Sequence, residues 1–312
     1  MTDTFCVMPW YGFEIKRRGS NCCWLTPDHN IDEVKKDLLN GIQSKWCSKC
    51  WKAEKNGDIS RRLQQNLLLD TLLDKSIETL ENDVKENKNK IVYYSVNTSN
   101  KCNGACITCG PDSSSKWNSL LKTTTKTKIL DSIDNLLDYQ NAKFIEFRGG
   151  EPLLENKNFE ILEKLLIVGN NSCTISIVTN GNVKLSTKQI NLLSQFKKVI
   201  VCLSIDGIGS VFEYVRWPLK WNLLLKNLEL FRSMNFDLSV SYTLSNINLP
   251  FKEETIKWFE TEKLPYLINN VVYPWYFSPD VPIDNSTTQE TLNFQDRLKG
   301  ISRSDFLNYK TS

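Results

Sequence analysis

The chain has 312 residues, of which 40% are hydrophobic and 24% charged, and its formal net charge is +3. This length allows one large buried core or one domain with an appendage. The small net charge and the lack of any apolar run of about 20 residues predict neither a nucleic-acid partner nor a membrane partner.

The N-terminal sequence, MTDTFCVMPWYGFEIKRR, lacks a charged start followed by a long apolar run. We therefore expect no signal peptide and a cytoplasmic protein, in which thiols stay reduced. Metal binding then explains the ten cysteines better than disulfides do. A single histidine, His29, disfavours histidine-rich metal sites.

Residues 1–55 contain five cysteines and four tryptophans, with little hydrophobic periodicity. We interpret this region as a small module held by a metal, with the tryptophans as its core. The candidate ligands are Cys6, Cys47, Cys50 and one of the adjacent pair Cys22 and Cys23, of which Cys23 is favoured. Four thiolates that include a CxxC pair can hold an iron–sulfur cluster or structural zinc, and both alternatives stand.

Residues 56–90 are predicted to form a helical connector. The apolar stripe expected on its helices consists of Leu63, Leu67, Leu68, Leu72 and Leu73.

From residue 91 onward, short β-rich runs alternate with amphipathic stretches. The predicted strands are Ile91–Val96, Lys143–Phe147, Thr174–Val178, Val199–Ile205, Leu238–Thr243 and Ile268–Val272. The predicted helices are Thr127–Leu137, Asn158–Val168, Thr187–Phe196, Leu219–Met234 and Glu253–Thr261. This alternation indicates an α/β fold with a parallel sheet, and six units are too few for a closed eightfold barrel.

Three cysteines follow the first of these strands in the spacing CxxxCxxC: Cys102, Cys106 and Cys109. Three thiolates this close can hold one face of a [4Fe–4S] cube, which normally takes four cysteines. One iron would then stay open to an exogenous ligand. Short cysteine runs alone also bind zinc, so this spacing needs further support.

Three more motifs follow the next strands. Gly149-Gly150-Glu151-Pro152 places two glycines, which let a ligand approach the backbone, beside a carboxylate that can accept from an ammonium group. An Asn-Gly turn signal, Asn180-Gly181, closes the third strand. Ser204 and Asp206 alternate along the fourth strand and are predicted to share one face, and Arg216 follows with a guanidinium suited to a carboxylate or to a surface salt bridge.

In this order the four motifs resemble those of the radical S-adenosylmethionine (SAM) enzymes. The resemblance implies a partial (β/α)6 barrel over residues 91–275, a [4Fe–4S] cluster on Cys102, Cys106 and Cys109, and SAM bound at its open iron. It implies that the GGEP motif holds the SAM amino group and that Asn180 meets SAM. Ser204 and Asp206 would lie near the ribose and carboxylate, with Arg216 on the carboxylate. Thr108 departs from the family pattern, in which an aromatic residue precedes the last cluster cysteine.

The cysteines of residues 1–55 resemble the SPASM and twitch modules that carry auxiliary [4Fe–4S] clusters in this family, although those modules usually follow the barrel. Residues 276–312 are expected to cap the barrel mouth. The resemblance implies reductive cleavage of SAM to a 5′-deoxyadenosyl radical, hydrogen abstraction from a peptide or small-molecule substrate, and a reducing partner such as flavodoxin or ferredoxin. The alternative is a non-catalytic scaffold that binds zinc or iron–sulfur.

Overall fold

The structure is a computed structural model in which residues 3–16, 19–23, 30–123, 135–284 and 286–300 are described. Trp24, His29 and most of the helix predicted over 127–137 lie outside the described residues. Among the described helices, none has the length and apolar character needed to cross a membrane. The chain forms two compact units: unit 1 comprises residues 1–98, 129–146 and 163–174, and unit 2 comprises residues 99–128, 147–162 and 175–312.

Unit 1 contains the N-terminal region and the first strands. Its elements are α1 (Met8–Tyr11), β1 (Gly12–Lys16), β2 (Gly19–Asn21), α2 (Ile31–Leu39), α3 (Ser48–Lys55), α4 (Arg61–Leu73), α5 (Ile77–Lys85) and β3 (Tyr93–Asn97). Strand β1 pairs antiparallel with β2 and parallel with β3, where Gly12 lies opposite Tyr93. The N-terminal region thus contributes a strand to the sheet, which its weak periodicity did not predict.

Helix α4 buries a polar face, and the predicted leucine stripe is wrong. Leu63 and Leu67 are 39% and 67% exposed, whereas the buried residues of α4 include Arg62 and Asn66. Both of these side chains donate a hydrogen bond to the Phe5 carbonyl, at 2.9 and 3.0 Å. The helix therefore packs by binding the backbone of the N-terminal segment, because a buried carbonyl needs a donor.

The second part of the chain alternates strands with helices. Its elements are α6 (Ser115–Leu121), β4 (Phe144–Phe147), α7 (Asn156–Ile167), β5 (Thr174–Thr179), α8 (Thr187–Leu193), β6 (Val199–Ser204), α9 (Gly209–Val215), α10 (Trp221–Ser233), β7 (Asp237–Leu244), α11 (Lys252–Thr261), β8 (Tyr266–Asn270) and α12 (Ser286–Lys299). Within unit 2, strands β5 to β8 are parallel and adjacent in chain order.

The six strands predicted from residue 91 onward are confirmed as β3 to β8, with ends that move by no more than two residues. The predicted α/β class is confirmed, and the alternation of strands and helices resembles that of the predicted partial (β/α)6 barrel. Strand β6 shows why these strands could be predicted from the sequence. Its residues alternate between buried and half-buried along its length, which is the period of a strand with one covered face.

Two cysteines outside the proposed metal sites were predicted to be buried. Cys173 is fully buried, as predicted. Cys202 is only half-buried, and the prediction for it is wrong. It lies on the same face of β6 as Ser204, the less covered face of that strand.

Candidate functional site

The three cysteines Cys102, Cys106 and Cys109 lie in one loop, residues 99–114, which we call the CxxxCxxC loop. Each is partly exposed, and none of the ten cysteines of the chain, all of them described, is in a disulfide. Burial raises the pKa of the Cys102 and Cys109 thiols to about 12, and it also raises that of Cys106. The metal-free thiols are therefore neutral near pH 7, and a metal that binds them must displace their protons.

Helix α6 anchors this loop through side-chain bonds to its backbone. The Ser115 hydroxyl accepts from the Cys102 amide at 3.0 Å and donates to the Cys102 carbonyl at 3.2 Å. The Trp117 indole donates to the Cys106 carbonyl at 3.0 Å. Two of the three cysteines are thus fixed by backbone contacts, which leaves their sulfur atoms available to bind a ligand.

The GGEP segment packs directly against the start of the CxxxCxxC loop. The Gly150 and Glu151 amides donate to the Ser99 and Lys101 carbonyls at 3.2 and 2.8 Å. A Cβ at Gly150 would lie 2.4 Å from the Lys101 carbonyl oxygen, so only glycine permits this approach. Gly149, at φ +124°, is the exposed residue of the pair.

The Glu151 carboxylate is buried and bonded to the chain's own donors. It accepts from the Thr179 hydroxyl at 2.7 Å and from the amides of Asn180 and Leu153 at 2.7 and 3.0 Å. Burial raises the pKa of the Glu151 carboxyl, and these three bonds oppose the rise. The carboxylate thus ties the GGEP segment to the Thr179-Asn180-Gly181 turn.

Amide side chains connect that turn to the CxxxCxxC loop. The Asn180 side chain donates to the Asn103 side-chain oxygen at 2.7 Å and lies 4.0 Å from the Cys102 sulfur. The Asn103 side chain in turn donates to the Asn182 carbonyl at 2.8 Å. The structure therefore places Asn180 beside the first cysteine, as a site at these positions requires. Asn103 and Asn182 were not singled out from the sequence, because asparagines in loops are common.

A buried ion pair lies beside the second cysteine. An Arg216 guanidinium nitrogen lies 2.7 Å from the Asp206 carboxylate, and another lies 3.9 Å from the Cys106 sulfur. The Thr243 amide donates to Asp206 at 2.8 Å and holds the carboxylate in place. Among the described residues the Arg216 Nε has no hydrogen-bond partner, although it is buried. Such an arginine has a donor left for a ligand, and a surface salt bridge is not its role.

Ser204 ends β6 two residues before Asp206, and its side chain is half-buried. It lies in register with Ser241 of β7, whose hydroxyl accepts from Asn269 at 3.2 Å. The neighbouring strands thus present small polar side chains on the face that carries Ser204. Asp206 lies beyond the end of the strand and is almost fully buried.

Helix α12 adds contacts that the sequence did not reveal. The Gln295 side chain donates to the Ile107 carbonyl at 3.4 Å. The buried Lys299 amine lies 5.8 and 5.7 Å from the ring centroids of Trp117 and Tyr214 and has no hydrogen-bond partner among the described residues. Burial lowers the pKa of Lys299 to about 8. Only the tertiary fold brings this helix to the CxxxCxxC loop, so no local motif could have shown it.

In unit 1 the predicted N-terminal ligands lie together. All five cysteines of the N-terminal group line one cavity that is partly open to solvent: Cys6, Cys22, Cys23, Cys47 and Cys50. Burial raises the pKa of four of these thiols, to about 12 for Cys47. Both members of the adjacent pair line the cavity, so the choice between Cys22 and Cys23 is still a prediction.

Two arginines of α4 also line this cavity. Arg62 forms a bidentate pair with Glu54, at 3.0 and 2.7 Å, and its guanidinium lies 5.0 Å from the centroid of the Trp51 ring. Arg61 lies 3.7 Å from the Glu146 carboxylate and donates to the Tyr93 hydroxyl at 3.2 Å. Each cation thus has a carboxylate partner while it faces the cysteines.

Among the described residues, no group of three or more His, Cys, Asp or Glu side chains is arranged so that it could hold a single metal ion.

The chain is similar in sequence to a known protein family and to one curated protein. A model of the Radical SAM superfamily matches residues 96–259, just over half of the chain. An uncharacterised protein of Methanocaldococcus jannaschii is 30% identical over 167 residues, which cover 51% of this chain and 55% of that protein. The chain thus matches about half the length of this curated relative.

Solved structures give similarities of lower identity. A structure described as native anSMEcpe with bound AdoMet is 20% identical, with a TM-score of 0.45 over 67% of this chain and 62% of that one. Streptococcus suis SuiB bound to S-adenosylmethionine is 14% identical, with a TM-score of 0.45 over 92% of this chain and 69% of that one. From the match of the family model over residues 96–259, this chain belongs to the Radical SAM superfamily.

Proposed function

We propose that this chain is an enzyme that cleaves SAM reductively at a [4Fe–4S] cluster held by Cys102, Cys106 and Cys109, and that it acts on a peptide or protein side chain. Membership of the superfamily implies the cluster and SAM as cofactors. When bound, they supply a 5′-deoxyadenosyl radical that abstracts hydrogen from the substrate. The observation that carries the proposal is the placement of three thiols in one loop beside the Arg216–Asp206 pair.

The donor set fits such a cluster. Three thiols supply three of the four cysteine ligands that a [4Fe–4S] cube normally takes, and one iron is left for SAM. The Arg216 guanidinium lies beside one of these thiols, and its buried Nε donor has no partner among the described residues. A planar guanidinium binds a carboxylate at two points, so we assign Arg216 to the SAM carboxylate and Asp206 to holding its side chain.

The other predicted SAM residues divide into two roles. We assign the backbone of Gly149 and Gly150 to the SAM amino group, because this segment lies against the CxxxCxxC loop and Gly149 is exposed. We assign Glu151 a positioning role, because both its carboxylate oxygens already accept hydrogen bonds from the chain itself. Asn180 lies beside Cys102, and Ser204 is assigned to the ribose.

We propose further that the N-terminal cysteine group holds an auxiliary [4Fe–4S] cluster through Cys6, Cys23, Cys47 and Cys50. The support is the single cavity that these thiols share. Two arginines face the same cavity, and cations beside thiolates offset the negative charge of a cysteine-ligated cluster. Structural zinc is the alternative that metal analysis would reveal. The electron for SAM cleavage would come from a partner such as flavodoxin or ferredoxin.

A peptide substrate is proposed because the N-terminal cysteine pattern resembles the SPASM and twitch modules, whose enzymes mostly modify peptides or proteins. A small molecule is the alternative substrate. A non-catalytic scaffold is disfavoured, because each SAM motif is intact and connected to the CxxxCxxC loop by hydrogen bonds.

The test is the formation of 5′-deoxyadenosine from SAM by the anaerobically reconstituted protein with dithionite. The wild-type protein is expected to form it, and Cys102→Ala is expected to lose it while the N-terminal metal is retained. Cys173→Ala, which changes a buried thiol outside both cysteine groups, is the matched control and should behave as wild type. Formation of 5′-deoxyadenosine by Cys102→Ala would disprove the assignment of the catalytic cluster.

A further inference from the structure

Strand β8 presents an exposed edge that carries no charge. The run from Tyr266 to Phe277, YLINNVVYPWYF, contains no charged residue over twelve positions. Leu267 is 54% exposed, and Val272 and Tyr273, which follow the strand, are 83% and 84% exposed. Within the described part of the chain β8 is the last strand of the sheet and pairs with β7 alone.

The direction of the backbone groups of β8 follows from two hydrogen bonds to β7. The Val240 amide donates to the Pro265 carbonyl at 2.7 Å, and the Val271 amide donates to the Leu244 carbonyl at 2.9 Å. In a parallel pair, alternate residues turn both their N–H and C=O groups toward the partner strand. The odd-numbered residues therefore face β7, and the groups that face away belong to Tyr266, Ile268 and Asn270.

Natural proteins protect such edges with lysine, proline, bulges or a covering segment. Strand β8, with the sequence YLINN, contains neither a charged residue nor a proline. Its outward N–H and C=O groups alternate along the strand, and the ligand that matches this alternation is another polypeptide backbone. The exposed Leu267 side chain adds an apolar contact on one face.

The edge is continuous with the site proposed above. Asn269 lies in register with Thr243 of β7, and the Thr243 amide donates to the Asp206 carboxylate at 2.8 Å. Leu267 and Asn269 therefore share the face that carries Ser204 and Ser241. A strand added to β8 would have every second side chain on this face.

The size of the edge favours a peptide over a second copy of the chain. Strand β8 has five residues, three of which present outward backbone groups. A stable dimer needs about 20–30 residues from each partner. A short extended peptide segment can pair with the outward backbone groups of three residues alone.

We propose that β8 binds an extended, uncharged segment of the peptide substrate by strand addition, and thereby leads the substrate toward the face of Ser204. This inference rests on the proposed function, because it names how that function's substrate is held. The residues that hold the segment are Tyr266, Ile268 and Asn270 through their backbone groups and Leu267 through its side chain.

The test measures the binding of a fluorescein-labelled heptapeptide, Gly-Val-Thr-Val-Tyr-Val-Gly, to the full reconstituted chain by fluorescence anisotropy. A second probe carries N-methyl groups on alternate residues, which remove the donors that strand pairing needs. Two variants alter the edge: Ile268→Pro removes one outward N–H group, and Leu267→Lys adds a charge of the kind that protects natural edges. Ile167→Lys, at an 82% exposed position of α7, is the matched control. Thermal unfolding verifies that each variant folds.

Wild type and Ile167→Lys are expected to bind the unmodified peptide equally. Each edge variant should bind the unmodified peptide at least about tenfold more weakly than wild type does. Wild type should bind the N-methylated probe more weakly by a similar factor. A loss of this size corresponds to about one or two hydrogen bonds. Equal binding by the folded Leu267→Lys variant, or no binding by wild type at about 1 mM peptide, would overturn the proposal. A dimer in sedimentation that Leu267→Lys dissociates would overturn it in favour of a second copy. Peptide binding without formation of 5′-deoxyadenosine would instead disprove the proposed function and leave the docking edge standing.

Discussion

The two cysteine groups differ in how the chain assembles them. Cys102, Cys106 and Cys109 belong to one loop, so their spacing, together with the motifs that follow it, indicated a site in the sequence. The N-terminal group draws its thiols from segments as far apart as Cys6 and Cys50, and it depends on α4 to hold the first of these segments. A site within one loop is readable as a motif, whereas a site assembled from distant segments depends on the packing between them.

The groups also differ in their charged neighbours. Near the CxxxCxxC loop, Arg216 pairs with Asp206, and the buried Lys299 amine has no hydrogen-bond partner among the described residues. The N-terminal cavity is lined by two arginines, each with a carboxylate partner. If the two sites are independent, a change in one should leave the other intact.

The largest effect is expected for Arg216→Met, which leaves the buried Asp206 carboxylate without its cation. The free energy of unfolding of the metal-free protein should fall by about 3–5 kcal/mol, measured by urea denaturation. Arg232→Met removes an arginine that is only partly buried and pairs with Glu229 and Glu262, and it should cost about 1 kcal/mol or less. An equal fall in the free energy of unfolding of the two variants would contradict the conclusion that burial makes the Arg216–Asp206 pair the more costly one to break. In a separate measurement on the reconstituted protein, both variants should retain the N-terminal metal.

The reverse test uses Asn66→Ala, which removes two buried bonds to the N-terminal segment: one to the Phe5 carbonyl and one from the Val7 amide. The free energy of unfolding should fall by about 2–3 kcal/mol, and metal at the N-terminal group should be lost first. Gln64→Ala removes a solvent-exposed bond from a half-buried side chain of the same helix to the Ile59 carbonyl, and it should cost about 0.5 kcal/mol or less. Loss of metal from the CxxxCxxC loop in Asn66→Ala would break the proposed independence of the two sites.

A smaller change is expected for Gly150→Ala, whose new Cβ would overlap the Lys101 carbonyl. Overpacking of this kind costs about 1–3 kcal/mol, and here it should displace the start of the CxxxCxxC loop. Iron bound by that loop and the yield of 5′-deoxyadenosine should both fall. Gly110→Ala is the control, since no atom lies within 4 Å of its Cβ position. Unchanged iron in Gly150→Ala would show that the contact does not position the loop.

The smallest effect concerns pH. Burial raises the pKa of Cys47, Cys102 and Cys109 from 9.0 to about 12. Their contribution to the stability of the metal-free protein is therefore complete below pH 9 and is lost as pH rises toward 12, because the unfolded chain releases its thiol protons first. The melting temperature of the metal-free protein should fall over this range. A melting temperature that stays constant from pH 8 to 10 would contradict the burial of these thiols as protonated groups.

The sequence predicted the strands well because their apolar residues alternate or run together, as β6 shows. It suggested candidate SAM residues at Gly149, Asn180 and Asp206 because each lies just after a strand in a short motif. It failed on α4, where three buried residues are polar and bind backbone groups instead of packing as a stripe. It also missed Lys299 and Gln295, because their approach to the CxxxCxxC loop depends on the path of the chain after β8.

The most direct test of the two-site account is the content of iron, sulfide and zinc per chain after anaerobic reconstitution. The wild-type protein should be compared with the triple variant Cys102→Ala, Cys106→Ala and Cys109→Ala. The account predicts about eight irons in the wild type and about four in the variant, with spectra of a [4Fe–4S] cluster in both. About four irons that fall to none, with one zinc retained, would contradict the auxiliary cluster, and iron unchanged by the triple variant would contradict the catalytic one.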